Sequence, residues 1–396
     1  MELVRMGPMM HISSLILGSV LLASCGASPR AALHSSSTSS APALSSSTTT
    51  TATTTIPYTG PRITSISSVS CADAMHCWAG AGVGTSGDES AILATTDGGA
   101  SWNVQDVIPG VDGIGPIACP SDTHCMAAAD RVVSQKPPLL LSTFNGGTTW
   151  SMPAMSSGVF TLDAMSCVNA SDCWLVAEKP QGLDLVMATT DWGQTWTVQD
   201  QSSIEVSMGV SFGISCPSTS DCVIVGVGAL TTTNGGSTWQ KHTFPIGASP
   251  PGELNVVACP SVSLCVAEED VTSAVPANTS TGIAMSDDGG TSWQTVETVN
   301  EAVLRSLSCP TTTVCLSGAG NIMEKTTDGG STWTESSVPD GASLSAVSCA
   351  VGTTECIAVG TEVPPGASYG GPSSSGDILK TDDDGSTWTE VSLPTG

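Results

Sequence analysis

One unit recurs seven times in this chain, and a repeat of that length forces a fold in which each copy buries its faces only against its neighbours. Every copy opens with two cysteines separated by five or six residues. The pairs are Cys71/Cys77, Cys119/Cys125, Cys167/Cys173, Cys216/Cys222, Cys259/Cys265, Cys309/Cys315 and Cys349/Cys356. Every copy ends in the pattern Ser/Thr-x-Asp/Asn-x-Gly-x-Ser/Thr-Trp, closing on Trp102, Trp150, Trp196, Trp239, Trp293, Trp333 and Trp388. The units run from about residue 64 to residue 394, which leaves about 47 residues for each.

That length fits one four-stranded blade, so the expected fold is all-β: a seven-bladed β-propeller with four antiparallel strands per blade. Strand A ends at the first Cys. The residue two before it is always apolar (Val69, Ile117, Met165, Ile214, Val257, Leu307, Val347), and the residue just before it is always Ser or Ala. This alternation is a strand signal, and the small face suits innermost strands crowded around an axis. The second Cys opens strand B, as in Cys173-Trp174-Leu175-Val176, so a Cys–Cys bond would staple each A–B hairpin at its turn. Chain entropy gives about 2 kcal/mol for so small a loop. Strand C is short and apolar, as in residues 185–188, and strand D starts at the Trp. In the turn between them, Asn or Asp folds back onto nearby N–H groups and Gly accepts positive φ.

Fourteen regularly spaced thiols point to an oxidising compartment and to disulfides. The spacing is wider than usual for zinc, and histidine is too scarce to complete seven such sites. No metal or cofactor is expected. The net charge of −26 arises from few bases rather than many acids, since only 12% of residues are charged. This surface argues against a nucleic-acid partner and suits cations or basic partners.

Cys25 stands outside the pairs. It follows the apolar run 12–23, which is short for a membrane span and fits a signal-peptide core. Leu22-Ala23-Ser24-Cys25 resembles a bacterial lipobox, which implies cleavage before Cys25 and lipidation of its thiol. Residues 1–24 are therefore expected to be a lipoprotein signal peptide. Residues 25–60 would form the lipidated Cys and a Ser/Thr/Pro-rich stalk, too poor in large apolar side chains to order itself. Residues 61–396 would be the propeller. The expected location is the extracytoplasmic face of a bacterial cell membrane, with the membrane contacted through the lipid and the head a monomer.

The Trp-closed turns resemble Asp boxes (BNR repeats), known from sialidases, some other glycosidases, sortilin-type receptors and photosystem II assembly factors. The resemblance covers all seven units and implies a propeller in which these turns are structural. Two functions follow from it. One is a non-catalytic binding or assembly protein that recognises a protein or glycan through the rim opposite the Asp boxes. The alternative is a glycoside hydrolase, of sialidase or two-carboxylate type. A sialidase-type site needs an Arg triad and a Tyr nucleophile, whereas past the stalk the chain offers Arg62, Arg131 and Arg305, and its two tyrosines are Tyr58, near the end of the stalk, and Tyr369.

Candidate ligand contacts come from two places. Four residues before the first Cys stand Ser67, Gly115, Asp163, Phe212, Asn255, Arg305 and Ser345, and Asp163 and Arg305 are expected to face the central channel, paired or touching a ligand. The B–C connections vary: tight in blades 4 and 6, extended over 268–282 in blade 5 and 361–376 in blade 7. Glu178, Glu268, Glu269 and Glu362 are expected on these loops, and Tyr369 in the Gly-rich one. Ring closure is expected from side-chain packing between blades 1 and 7, or else from a strand borrowed from residues 56–62.

Overall fold

The computed structural model describes residues 59–84, 87–131, 137–153, 155, 158–179, 183–200, 213–242, 253–272, 279–300, 304–362 and 375–394. Cys25, Phe212 and Tyr369 lie outside the described residues, as do the signal and stalk segments up to residue 58. The described chain forms seven antiparallel sheets, six of four strands and one of three. In blade 1 the strands are A (Ile63–Cys71), B (Cys77–Val83), C (Glu89–Thr95) and D (Asn103–Pro109). Strand A of each blade packs on strand A of the next, and strand A of blade 7 (Ala342–Cys349) packs on that of blade 1, so the ring closes.

Blade 2 departs from the expected four strands. Its fourth strand shrinks to one bridge, with Ser142 and Ser151 exchanging backbone bonds of 2.8 and 2.9 Å. Two residues further along, the ladder needs an N–H from position 153, and Pro153 has none.

The hairpin turns make the staples geometrically natural. Ala72 N–H bonds to His76 O just beyond the pair Cys71 and Cys77, so the cysteines sit at a non-hydrogen-bonded site, where facing side chains approach closest. Disulfides close Cys71–Cys77, Cys167–Cys173, Cys216–Cys222, Cys259–Cys265, Cys309–Cys315 and Cys349–Cys356, with Cα separations of 4.0–4.1 Å. Cys119 and Cys125 also stand at bonding distance, 1.93 Å between sulfurs.

Each C–D turn repeats one hydrogen-bond set. In blade 1, Asp97 Oδ1 accepts from Thr95 Oγ1 and Ser101 N–H, both at 2.8 Å, while Thr95 Oγ1 accepts from Gly99 N–H at 2.9 Å. Gly99 has φ +84°, a conformation costly for any residue with a Cβ. A backbone bond then ties this turn to the A–B turn, from Gly98 N–H to Met75 O at 3.0 Å in blade 1 and from Asp384 N–H to Thr354 O at 3.1 Å in blade 7. A–B and C–D turns thus share one rim, called here the turn rim; B–C and D–A connections share the opposite, loop rim.

The hydrophobic core is not central but divided among seven seams between adjacent blades. The closing Trp rests on its own turn, as in the Nε1–H bonds of Trp293 to Gly290 O and of Trp333 to Gly330 O, both 3.0 Å, and also enters the seam with the preceding blade. Trp102 joins Ile357, Val359 and Ile378 of blade 7, and Trp333 joins Val266 and Ile283 of blade 5. Trp192 adds to the blade 2/3 seam. It adopts φ +55° at a turn position that five blades fill with Gly, and is held there by burial and by its Nε1–H bond to Thr143 O at 3.2 Å.

The small residue before the first Cys also has a bonding role. Strand A is a sheet edge, so the N–H of its terminal Cys has no strand partner on that side. The preceding blade supplies one. Ser70 Oγ accepts from Cys119 N–H at 3.1 Å, Ser166 from Cys216 at 3.1 Å, Ser215 from Cys259 at 3.0 Å and Ser308 from Cys349 at 2.9 Å. Ser348 accepts from Cys71 N–H at 3.0 Å and so spans the closure of the ring. Blades 2 and 5 carry Ala118 and Ala258 instead. Closure rests on this bond and on the blade 7/1 core, with no exchanged strand among the described residues. Ser348→Ala should therefore lower stability by about 0.5–1.5 kcal/mol in urea unfolding; an unchanged midpoint would contradict the role given to this hydroxyl.

Candidate functional site

Position four before the first Cys is where strand A bulges. The register breaks at Ser67 in blade 1, at Gly115-Pro116 in blade 2, at Asp163 in blade 3, at Asn255 in blade 5 and at Ser345 in blade 7. A bulge takes its extra residue out of the in–out alternation and re-aims the side chain. Ser67 uses this to donate to Ile114 O of blade 2 at 2.9 Å.

Asp163, in strand A of blade 3 (Thr161–Cys167), is half-buried among acids. Burial pushes its carboxyl up to about 6, the charges of Glu178, Asp184 and Asp130 push the same way, and a hydrogen bond from Thr161 opposes them. Asp163 and Arg305 make no ion pair with each other. They belong to blades 3 and 6, on opposite sides of a seven-membered ring, and Arg305 is exposed.

The glutamates are not on loops. Glu178 lies in strand B of blade 3 (Cys173–Lys179), directly opposite Asp184 of strand C (Leu183–Thr189). Asp184 is 6% exposed, and burial followed by the Glu178 charge raises it to about 6. Glu362 is the last residue of strand B in blade 7 (Cys356–Glu362). Glu268 and Glu269 sit within strand B of blade 5 (Cys265–Thr272), which runs further than the sequence suggested. They point into opposite seams and are buried. Glu268 Oε1 accepts from Ser317 Oγ of blade 6 at 2.5 Å, while Oε2 is buried without a partner. Burial pushes Glu268 up to about 8, outweighing the Ser317 bond, so it is protonated at neutral pH. Glu269 Oε2 accepts from Thr295 Oγ1 at 3.0 Å, Oε1 has no partner, and burial raises this carboxyl too. Neither group can reach a polymer lying on the rim.

Sequence reasoning missed Asp130, Asp184 and Asp377. The available signal was a lone Asp beside large apolar residues, as in Leu183-Asp184-Leu185 and Gly376-Asp377-Ile378. Asp377, in strand C of blade 7 (Ser375–Thr381), is 6% exposed and raised to about 6 by burial and then by Glu390 and Glu362. Burial and then the Asp112 charge raise Asp130.

The two rims therefore hold their acids in opposite states. On the turn rim the carboxylates receive donors: Asp328 is lowered to about 2 by the hydroxyl and N–H of Thr332 and by Thr326, and Asp383 to about 2 by the N–H and hydroxyl of Thr387 and by Thr381. Toward the loop rim, Asp130, Asp163 and Asp184 lie among other carboxylates and Asp377 lies beside Glu390 and Glu362, each with few donors, and all four are raised. Such groups hold their anionic form more readily beside a cation.

These shifts fix a pH profile. The carboxyls raised to about 6, and Glu268 at about 8, contribute stability that is full below their unfolded values of about 4 and is lost as pH rises through 6 and then 8. Asp328 and Asp383, at about 2, contribute stability that is present above about 4 and is lost as pH falls toward 2. The melting temperature should peak at about pH 4–5 and decline toward pH 9. Glu268→Gln should flatten the decline between pH 5 and 8; a profile rising steadily to pH 8 would refute the assignment.

No protein-family profile matches the chain, and no curated relative matches it. Solved structures do. A structure described as YCF48 bound to D1 peptide superposes with TM-score 0.53 at 17% identity, over 76% of this chain and 91% of that one. YCF48 from Cyanidioschyzon merolae gives TM-score 0.52 at 16% identity, over 76% and 94%. The WD40 repeats of RRP9 give TM-score 0.52 at 10% identity, over 76% and 91%. Likeness at these identities establishes the propeller fold and nothing of activity.

Proposed function

We propose that the chain is a non-catalytic binding protein, anchored outside a bacterial cell membrane by a lipid on Cys25, which holds a protein segment on its loop rim. The observation that carries this reading is the division of carboxylates between the rims. On one rim the turn carboxylates are supplied with hydroxyl and N–H donors, and the other presents acids with few donors. Scaffold-mounted loops are the usual place for recognition, and the B–C connections that differ most between blades open on that same rim. A solved propeller of like fold carries a bound peptide, which supports a protein segment over a glycan as the occupant.

The hydrolase reading loses two of its candidates, because Glu268 and Glu269 are closed inside seams.

Two measurements test the proposal. Cys25→Ala should move the protein from the membrane fraction to the soluble one and abolish incorporation of labelled palmitate. A photo-crosslinker at Glu178 should capture an envelope protein that the same group at Ser101, on the turn rim, does not. Capture only from Ser101, or release of reducing sugar by the purified head, would overturn the reading.

A further inference from the structure

We propose that the cavity where blade 7 meets blade 1 receives a lysine or arginine side chain of the partner protein. The inference rests on the loop-rim reading above and adds the place and the chemistry of recognition. The cavity measures about 600 Å³ and opens on the loop rim, since its walls come from the start of strand A, the end of strand B, the start of strand C and the chain around strand D. That volume falls in the range of binding clefts.

Three carboxyl groups line it: Asp377, Glu362 and Glu390. They differ in setting. Glu362 and Glu390 are exposed at the lip, and Glu362 Oε2 accepts from Ser375 Oγ at 3.0 Å. Asp377 is 6% exposed, and no other side chain among the described residues hydrogen-bonds to it; only the Ile378 N–H contributes. A buried carboxyl facing two others without a cationic donor of its own is an incomplete site. Arg62 also lines the cavity, and three carboxyls against one guanidinium leave an excess of negative charge.

The remaining wall decides the kind of cation. Ile63 is buried in the blade 7/1 core and Leu393 packs against the same cluster, so apolar surface runs beside the acids. An ammonium or guanidinium on a methylene stem matches this arrangement: the stem lies on the apolar wall and the head meets the carboxyls. A bare metal ion matches it less well. No group of three or more metal-ligating side chains converges among the described residues. The upward displacement of Asp377 to about 6, caused by burial and then by Glu390 and Glu362, agrees with a site built to be neutralised from outside.

The test uses the intact lipid-free protein, residues 26–396, with calorimetry at low salt and pH 7.5. The probes are a capped pentapeptide Ac-Gly-Leu-Lys-Leu-Gly-NH2, its arginine counterpart, its Nε-acetyllysine counterpart, and butylammonium. The lysine and arginine peptides should bind, and the acetylated one should not. Asp377→Asn and Glu390→Gln should each weaken binding by about tenfold or more, while Asp163→Asn, on the same rim outside the cavity, should leave it within about twofold. Asp377→Asn removes a buried charge, and its melting temperature at pH 7.5 should equal or exceed the parent's; Glu390→Gln, at the exposed lip, gives a second reading free of folding effects. No binding of either basic peptide overturns the proposal and leaves the loop-rim reading to its crosslinking test. Loss of binding in Asp163→Asn but not in Asp377→Asn also overturns it and supports the wider rim. Binding indifferent to all three substitutions contradicts both. Butylammonium binding as tightly as the peptides would assign the cavity to a soluble amine and overturn the partner side chain.

Discussion

The inner edge of a propeller poses a hydrogen-bonding problem that the rest of this structure is arranged around. Each blade presents strand A to the axis, and an edge strand has N–H groups that no neighbouring strand receives. At the terminal Cys of strand A the solution is a single hydroxyl from the preceding blade, repeated from Ser70 to Cys119 and around to Ser348 and Cys71. The same Cys is fixed by its disulfide to strand B, and the A–B turn is fixed by a backbone bond to the C–D turn. Hairpin, staple, turn and adjoining blade therefore meet at one place in five of the seven repeats. A rigid turn rim results, and the other rim is left free to vary.

That asymmetry is also electrostatic. With 36 acidic residues and only 10 lysines and arginines, most carboxylates must be placed without a cationic partner, and this chain treats them in two ways. Those in the C–D turns are absorbed into the fold as acceptors, with Thr or Ser hydroxyls and N–H groups around them. Those near the loop rim, and Glu268 in its seam, are buried with too few donors. Satisfied acids stabilise the ring; unsatisfied ones cost stability at neutral pH and are retained on the face that the scaffold leaves exposed.

Much of the architecture was readable because it repeats. Period, Cys spacing and the Trp-closed turn each recur seven times, and each has a local physical cause. The seams were less readable because their logic joins residues some 40–50 positions apart, and 277 apart where the ring closes. Ser70 and its equivalents could be seen to be small, but their hydroxyl role appears only once the next blade's Cys N–H is placed beside them. The Trp residues likewise reach the preceding seam as well as resting on their own turn. Glu268 and Glu269 were expected on the B–C loop because acids rarely sit inside a strand; Ser317 and Thr295 of adjoining strands give them partners there. Asp163 and Arg305 occupy equivalent positions in blades on opposite sides of the ring, so a shared motif position did not mean contact. The shortened strand D of blade 2 was written in Pro153, whose missing N–H ends the ladder.

Amide hydrogen exchange at the first Cys of each blade tests this account most directly. Cys71, Cys119, Cys216, Cys259 and Cys349 have a Ser acceptor in the preceding blade, whereas Cys167 and Cys309 follow Ala118 and Ala258. The account predicts slow exchange at the first five, faster exchange at the other two, and selective loss of protection at Cys71 when Ser348 is replaced by Ala. Equal protection at all seven, unaffected by that replacement, would contradict the claim that inter-blade hydroxyls hold the ring at its inner edge.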